Sequence, residues 1–160
     1  MNALALVAFT VLAFTGSLAT RMLTPALSFF LREGLRASFF GVSTLTSGYM
    51  LGRSLTAYFS GSIGRRWRYL PSLCLILNAL LTLLYPLTRR WYEVAGLSFL
   101  QGALMGLTWP FIQYLVMASA GEGRAGRAIS IYFFVGSVAG PAGDAVYGVL
   151  FSTSPVTSVV

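Results

Sequence analysis

The sequence contains no histidine and no lysine, a single cysteine, Cys74, and four acidic residues, Glu33, Glu93, Glu122 and Asp144. Without histidine there is no Ser-His-Asp triad. A zinc site lacks its usual ligands, and one cysteine makes no disulfide framework. No glycine-rich run ends in Lys-Ser or Lys-Thr, so a nucleotide-binding loop is excluded as well. Charge of either sign is scarce, at 9% of 160 residues. A soluble domain carries roughly 25%, so this chain has too few charges to cover a water-facing surface. Disordered segments are polar and charge-rich, which excludes that class too.

What is present is apolar: 56% of residues are hydrophobic and the mean hydropathy is +0.76. The composition is that of an integral membrane protein; an intramembrane enzyme is disfavoured because Asp144 is the one titratable acid in a helix core, and no cofactor is implied. The pI of about 10.2 would suggest nucleic acid in a soluble chain. Here the eleven arginines are scattered in ones, twos and threes between apolar runs, which points to loop topology instead.

A membrane-spanning helix needs about 20 mostly apolar residues. Five runs qualify, at about 3–31, 38–63, 69–87, 91–119 and 128–151. The interruptions are Arg32–Arg36, Gly64–Arg68, Thr88–Arg90 and Gly121–Arg127. Barrel strands would be near ten residues with strict alternation, which these runs lack. The first run could be a cleavable signal peptide, given Gly16, Ser17 and Ala19, but no positive charge precedes it and its apolar character continues to Phe30. A retained helix is the preferred reading. With a cytoplasmic N-terminus the inside loops hold Arg65, Arg66, Arg68, Arg124 and Arg127, and the outside loops Arg32, Arg36, Arg89 and Arg90. The positive-inside rule therefore gives that orientation only a narrow preference.

The helices also repeat. Helix two carries Gly48 and Gly52, and helix five carries Gly136 and Gly140, while helices one and four each carry a proline, Pro25 and Pro110. Helices one to three read as one unit repeated from helix four. An odd number of helices inverts the second copy, as in the 3+3 halves of some secondary transporters. On that expectation the chain is one such half lacking its sixth helix, and Ser152–Pro155 reads as the loop leading to it. Chance recurrence among 17 glycines is the competing account. The GxxxG pairs, including Gly102 and Gly106 in helix four, first of all suit close helix packing.

Four segments resemble the N-terminal half of a major facilitator superfamily (MFS) transporter. Ser60–Arg66 resembles that family's loop motif between helices two and three, with Gly64, Arg65 and Arg66 in place but Gly61 at its Asp position. Phe99–Gly106 is similar to the second motif, with Gln101 and Gly102 in place and Ser98 where an Arg is usual. Gly123–Ala128 resembles the link into helix five. Gly136–Pro141 resembles the helix-five antiporter motif through Gly136, Gly140 and Pro141, with Asp144 and Ala145 standing where a glycine pair is usual. The resemblance implies an all-α membrane bundle over residues 1–160, a cytoplasmic N-terminus in the plasma membrane, and alternating access without ATP hydrolysis. The missing loop Asp and helix-four Arg leave the usual gating contact and drug-antiporter proton coupling without their residues.

Charges inside the bilayer cost roughly 2.5–3.5 kcal/mol on insertion scales and usually face a partner or a wet cavity. Arg21, Arg53 and Asp144 are the three. Ser17, Arg21, Thr24 and Ser28 share one face of helix one; Arg21 there is expected either to hold an anionic group or to form a buried ion pair, with Asp144 its expected partner. Arg53 lies on a face with Thr46, Tyr49, Thr56 and Ser60 and could instead snorkel. Gln101, Trp109 and Gln113 are further candidates for substrate contact, and Asn78 and Thr82 for hydrogen bonding between helices. The expected function is secondary transport of a small molecule, with efflux favoured by the helix-five motif. Its expected partners are the lipid bilayer, the substrate and a missing C-terminal half or second chain. The alternative is a non-transporting assembly or anchoring module.

Overall fold

The computed structural model describes residues 3–66, 69–121 and 123–153, with side chains throughout except at 3–6, 61–66, 151 and 153. Five long helices follow one another: α1 (Ala3–Phe29), α2 (Phe39–Arg66), α3 (Leu70–Thr82), α4 (Trp91–Ala120) and α5 (Ala125–Thr153). No strand occurs among the described residues.

The helix ends follow local chemistry. α1 continues into a π turn, Phe30–Gly34, so the first break falls later than the charges at Arg32 and Glu33 suggest. Leu35 N–H reaches Phe30 O at 3.0 Å, and Arg36 turns the chain at φ +50°. The Ser38 hydroxyl then accepts the Gly41 N–H at 3.3 Å and caps α2. α2 runs on through Gly64, Arg65 and Arg66, which sequence placed in a loop; the side chains of these three, and all of Trp67 and Arg68, lie outside the described residues.

The third apolar run is not one continuous helix to Leu87. It breaks after Thr82 into a turn and a short 3₁₀ helix, Tyr85–Leu87. Pro86 is the cause: it has no N–H for the Thr82 carbonyl four residues back, and its ring clashes there. α4 opens with Glu93, whose carboxylate accepts the backbone N–H of Arg89 at 2.8 Å and of Arg90 at 3.3 Å, a charged cap that also suits the positive end of the helix. Gly121 and Gly123 make the link to α5 at φ +78° and +71°, a left-handed conformation that glycine adopts freely. α5 consequently starts at Ala125, earlier than its apolar run.

Among the described residues four stretches are long and apolar enough to cross a membrane: Val7–Gly34, Leu70–Leu87, Trp91–Ala120 and Ala125–Leu150. α2 is the exception among the five expected. It has 28 residues, about 42 Å at 1.5 Å per residue, so length is not its limit. Its Ser, Thr and Gly content and Arg53 make it polar, and Ser43, Thr46, Ser47 and Ser54 are exposed.

The chain divides into two compact units, Met1–Leu27 with Leu115–Val160, and Ser28–Tyr114. In the second unit α2 and α4 touch backbone to backbone. A Cβ on Gly52 would overlap the Phe99 carbonyl, one on Gly102 the Tyr49 carbonyl, and one on Gly106 the Arg53 carbonyl and Thr56 hydroxyl. Thr56 exploits that proximity and donates to the Ala103 carbonyl at 2.7 Å. In the first unit α5 packs on α1: a Cβ on Gly143 would lie 2.9 Å from the Leu18 carbonyl, and one on Gly136 3.3 Å from the Ser17 hydroxyl. α2 thus packs on α4 in the second unit, and α5 on α1 in the first.

A candidate substrate contact at Arg21

Arg21 lies along α5 in the first unit. A Cβ built on Gly140 would stand 3.5 Å from Arg21 Nε and 3.9 Å from Cζ, and one on Gly143 3.0 Å from Arg21 Cβ. The two glycines leave a channel that the arginine stem fills while the residue as a whole stays exposed. Asp144 is also exposed and follows Gly143 directly, one helical turn beyond Gly140. Among the described residues no ion pair joins Arg21 to a carboxylate. Pro25 sits four residues after Arg21, so the Arg21 carbonyl cannot receive its helical amide. Thr24 turns its hydroxyl back to the Thr20 carbonyl at 2.9 Å, the usual way for a threonine to satisfy itself inside a helix. Pro141 is exposed beside Gly140, and Gly136 is half-buried.

The other candidates belong to the second unit. Arg53 is half-buried on α2, and its backbone carbonyl faces Gly106. Trp109 and Gln113 are half-buried on α4. With Gly102 and Gly106 they follow spacings of four, three and four, so all four residues share a face of that helix. That stripe is the counterpart of Ser17, Arg21, Thr24 and Ser28 on α1. Where α4 has glycine at 102 and 106, α1 has Ser17 and Arg21.

Gln101 points elsewhere. It is buried, and its amide is engaged with the α3 side: Oε1 accepts from the Tyr85 hydroxyl at 2.8 Å, and Nε2 donates to the Thr82 hydroxyl at 2.9 Å and the Asn78 carbonyl at 3.4 Å. Ser98 joins the same cluster through Tyr85 at 3.1 Å. Gln101 and Gly102 therefore make adjacent contacts with two different helices.

One comparison decides what kind of chain carries these features. Residues 9–159 match the family model of the Major Facilitator Superfamily. The chain belongs to this superfamily. No curated protein and no solved structure matches it. The apolar helices and the family together make it a multi-pass membrane protein of a transporter superfamily, surrounded by lipid.

Within a Major Facilitator Superfamily chain the structure sorts the sequence candidates by neighbour. It brings Arg21, Gly136 and Gly140 to the α1–α5 contact, leaves Asp144 exposed beside Gly143, and brings Arg53 with the α4 glycines to the α2–α4 contact. Gln101 it assigns to a hydrogen-bonded cluster with α3. Two participants carried little signal in the sequence. Gly143 reads as one more glycine until its neighbours, Leu18 and Arg21, are seen. Tyr85 reads as the tail of an apolar run until Pro86 is recognised as ending the helix, which frees the hydroxyl to turn inward.

Proposed function

We propose that this chain takes part in secondary active transport of a small molecule by alternating access, with Arg21 as the contact for an anionic or amphipathic substrate. The reading places the N-terminus in the cytoplasm and the protein in the plasma membrane. The observation that carries it is the arginine itself. Arg21 lies in an apolar span, is held by packing over Gly140 and Gly143, and among the described residues its guanidinium is in no ion pair. A charge so placed needs a wet cavity or a bound anion, and a guanidinium can hold a carboxylate or phosphate through two hydrogen bonds. Asp144, on α5 one turn beyond Gly140, is its natural competitor for an anionic substrate.

Alternating access needs two bundles that rock about a central site, so a second bundle, in the same polypeptide or another, belongs to this proposal. The exposed hydroxyl face of α2 supports it, because Ser43, Thr46, Ser47 and Ser54 are poorly matched to lipid and suited to a facing protein surface.

The test is ligand-dependent thermal stability of the purified chain against small organic carboxylates and phosphates, each paired with a neutral isostere. A ligand at one hundred times its Kd stabilises by about 2.7 kcal/mol. Anions should raise the Tm and isosteres should not, Arg21→Gln should abolish the rise, and Asp144→Asn should enlarge it. Equal stabilisation by neutral isosteres, or a rise that survives Arg21→Gln, would count against the assignment.

A further inference from the structure

A groove of about 460 Å³ runs between α3 and α4, walled only by leucines and Ala103, from Leu84 and Leu100 at one end to Leu77 and Leu107 at the other. Ligand pockets ordinarily add a few polar groups that fix orientation, and this lining has none. What could orient an occupant lies outside the groove, along the same strip of chain. Leu83 and Leu84 are followed by the exposed Leu87 and then by Arg89 and Arg90, both exposed, with Trp91 and Tyr92 next.

The basic pair is open to an anion. Glu93, the nearest acid in sequence, has one carboxylate oxygen engaged with the Arg89 and Arg90 amides. Among the described residues neither guanidinium is in an ion pair. Arg90 donates to the Tyr92 hydroxyl and lies 5.7 Å from that ring's centroid. That hydrogen bond holds its pKa above the ordinary arginine value, so the charge persists at every accessible pH. Phe40 meets Trp91 edge-on at 6.1 Å, and Arg32 lies 4.1 Å over the Phe39 ring. Aromatic rings with arginines at a helix end mark the level of lipid headgroups.

We propose that an anionic phospholipid occupies this side of the chain, its phosphate on Arg89 and Arg90 and one acyl tail passing Leu87 into the leucine groove. The depths agree. At 1.5 Å per residue, Leu100 lies about 13 Å and Leu107 about 24 Å beyond Trp91. One leaflet of a core about 30 Å thick reaches about 15 Å, so a tail from this headgroup level enters the groove at its Leu84 and Leu100 end and stops short of Leu107. The basic pair supplies the charge complementarity that a bare apolar groove lacks.

The experiment is native mass spectrometry of the full chain in detergent, titrated with phosphatidylglycerol and phosphatidylcholine carrying the same long tails. The expected result is about thirtyfold tighter binding of phosphatidylglycerol, from two arginines at the headgroup, with no competition by inorganic phosphate. Arg89→Gln with Arg90→Gln should bring the two lipids together. Leu80→Phe, which fills the groove, should weaken both lipids and leave their ratio unchanged, with helical circular dichroism confirming the fold. Short-tailed phosphatidylglycerol should bind far less well than the long-tailed form. Equal binding of the two headgroups by the native chain, a ratio that survives the double substitution, displacement by inorganic phosphate, or indifference to Leu80→Phe and to tail length would overturn the proposal.

Discussion

Gly140 and Gly143 show how much a single missing side chain decides. They differ in what an added methyl would meet: at Gly140 it would rest 3.5 Å from a flexible arginine, and at Gly143 it would press on the Leu18 carbonyl at 2.9 Å. An alanine in a helix interior gains roughly 0.5–1 kcal/mol over glycine. Gly140→Ala is therefore expected to hold or raise stability by about that amount. Gly143→Ala, which must move backbone, is expected to lose about 1–3 kcal/mol. Unfolding in mixed micelles, run on both variants, separates the two; equal effects would show that the α1–α5 contact is looser than described. The pattern of Gly136, Gly140 and Pro141 was legible in the sequence, as was the stripe bearing Arg21. That α1 lies against α5 was expected from Arg21 and Asp144. Among the described residues Arg21 meets Gly140 and Gly143 instead of forming that ion pair; periodicity gives the face of a helix and not the residue each side chain meets. Gln101 shows the same limit. Its polarity in an apolar run was visible, but a partner across the helix and a bound substrate satisfy an amide equally well.

Two pairs of helices use one scheme with different stuffing. In the α2–α4 pair both partners present glycine, Gly52 from one and Gly102 and Gly106 from the other, and the backbones come into contact. In the α1–α5 pair the glycines stay on α5, while α1 offers Ser17 and Arg21 at the positions matching Gly102 and Gly106. The first pair is built to stay closed; the second carries a charge in the space a glycine would have left. Alanine at Gly52, Gly102 or Gly106 should accordingly cost more than about 2 kcal/mol each, since every added methyl meets main-chain carbonyl or a hydrogen-bonded hydroxyl. Gly96, on the same helix with nothing within 4 Å, is the control, and Gly96→Ala should gain roughly 0.5–1 kcal/mol. Uniform effects at all four glycines would remove the case for a backbone-to-backbone contact. The break after Thr82 also belongs to this scale: apolar content extended the third helix to Leu87, and it took the missing amide of Pro86 to end it. α2 shows the converse, since its length fits a crossing but its hydroxyl-rich surface sets it apart from the other four.

At the scale of the whole molecule, the question is what five such helices do in a bilayer. Four are apolar enough to cross it; α2 exposes Met50, Leu51, Leu55 and Phe59 but also a strip of hydroxyls, Ser43, Thr46, Ser47 and Ser54. Serine and threonine hydroxyls can turn back to their own helix, as the Ser43 hydroxyl does to the Phe40 carbonyl at 2.8 Å, so such a face is tolerated in lipid without being favoured by it. A second bundle laid against it would replace that tolerance with packing, and would supply the other half of the movement that alternating access requires. Proteoliposomes holding this chain alone should therefore show no uptake driven by a proton or ion gradient above that of empty vesicles. Adding a matching second bundle should produce flux that Arg21→Gln reduces. The outcome separates two claims. Robust gradient-driven uptake by the chain alone would remove the need for a second bundle while leaving Arg21 open to test. Flux restored by the second bundle but indifferent to Arg21→Gln would keep the two-bundle mechanism and move the substrate contact away from α1.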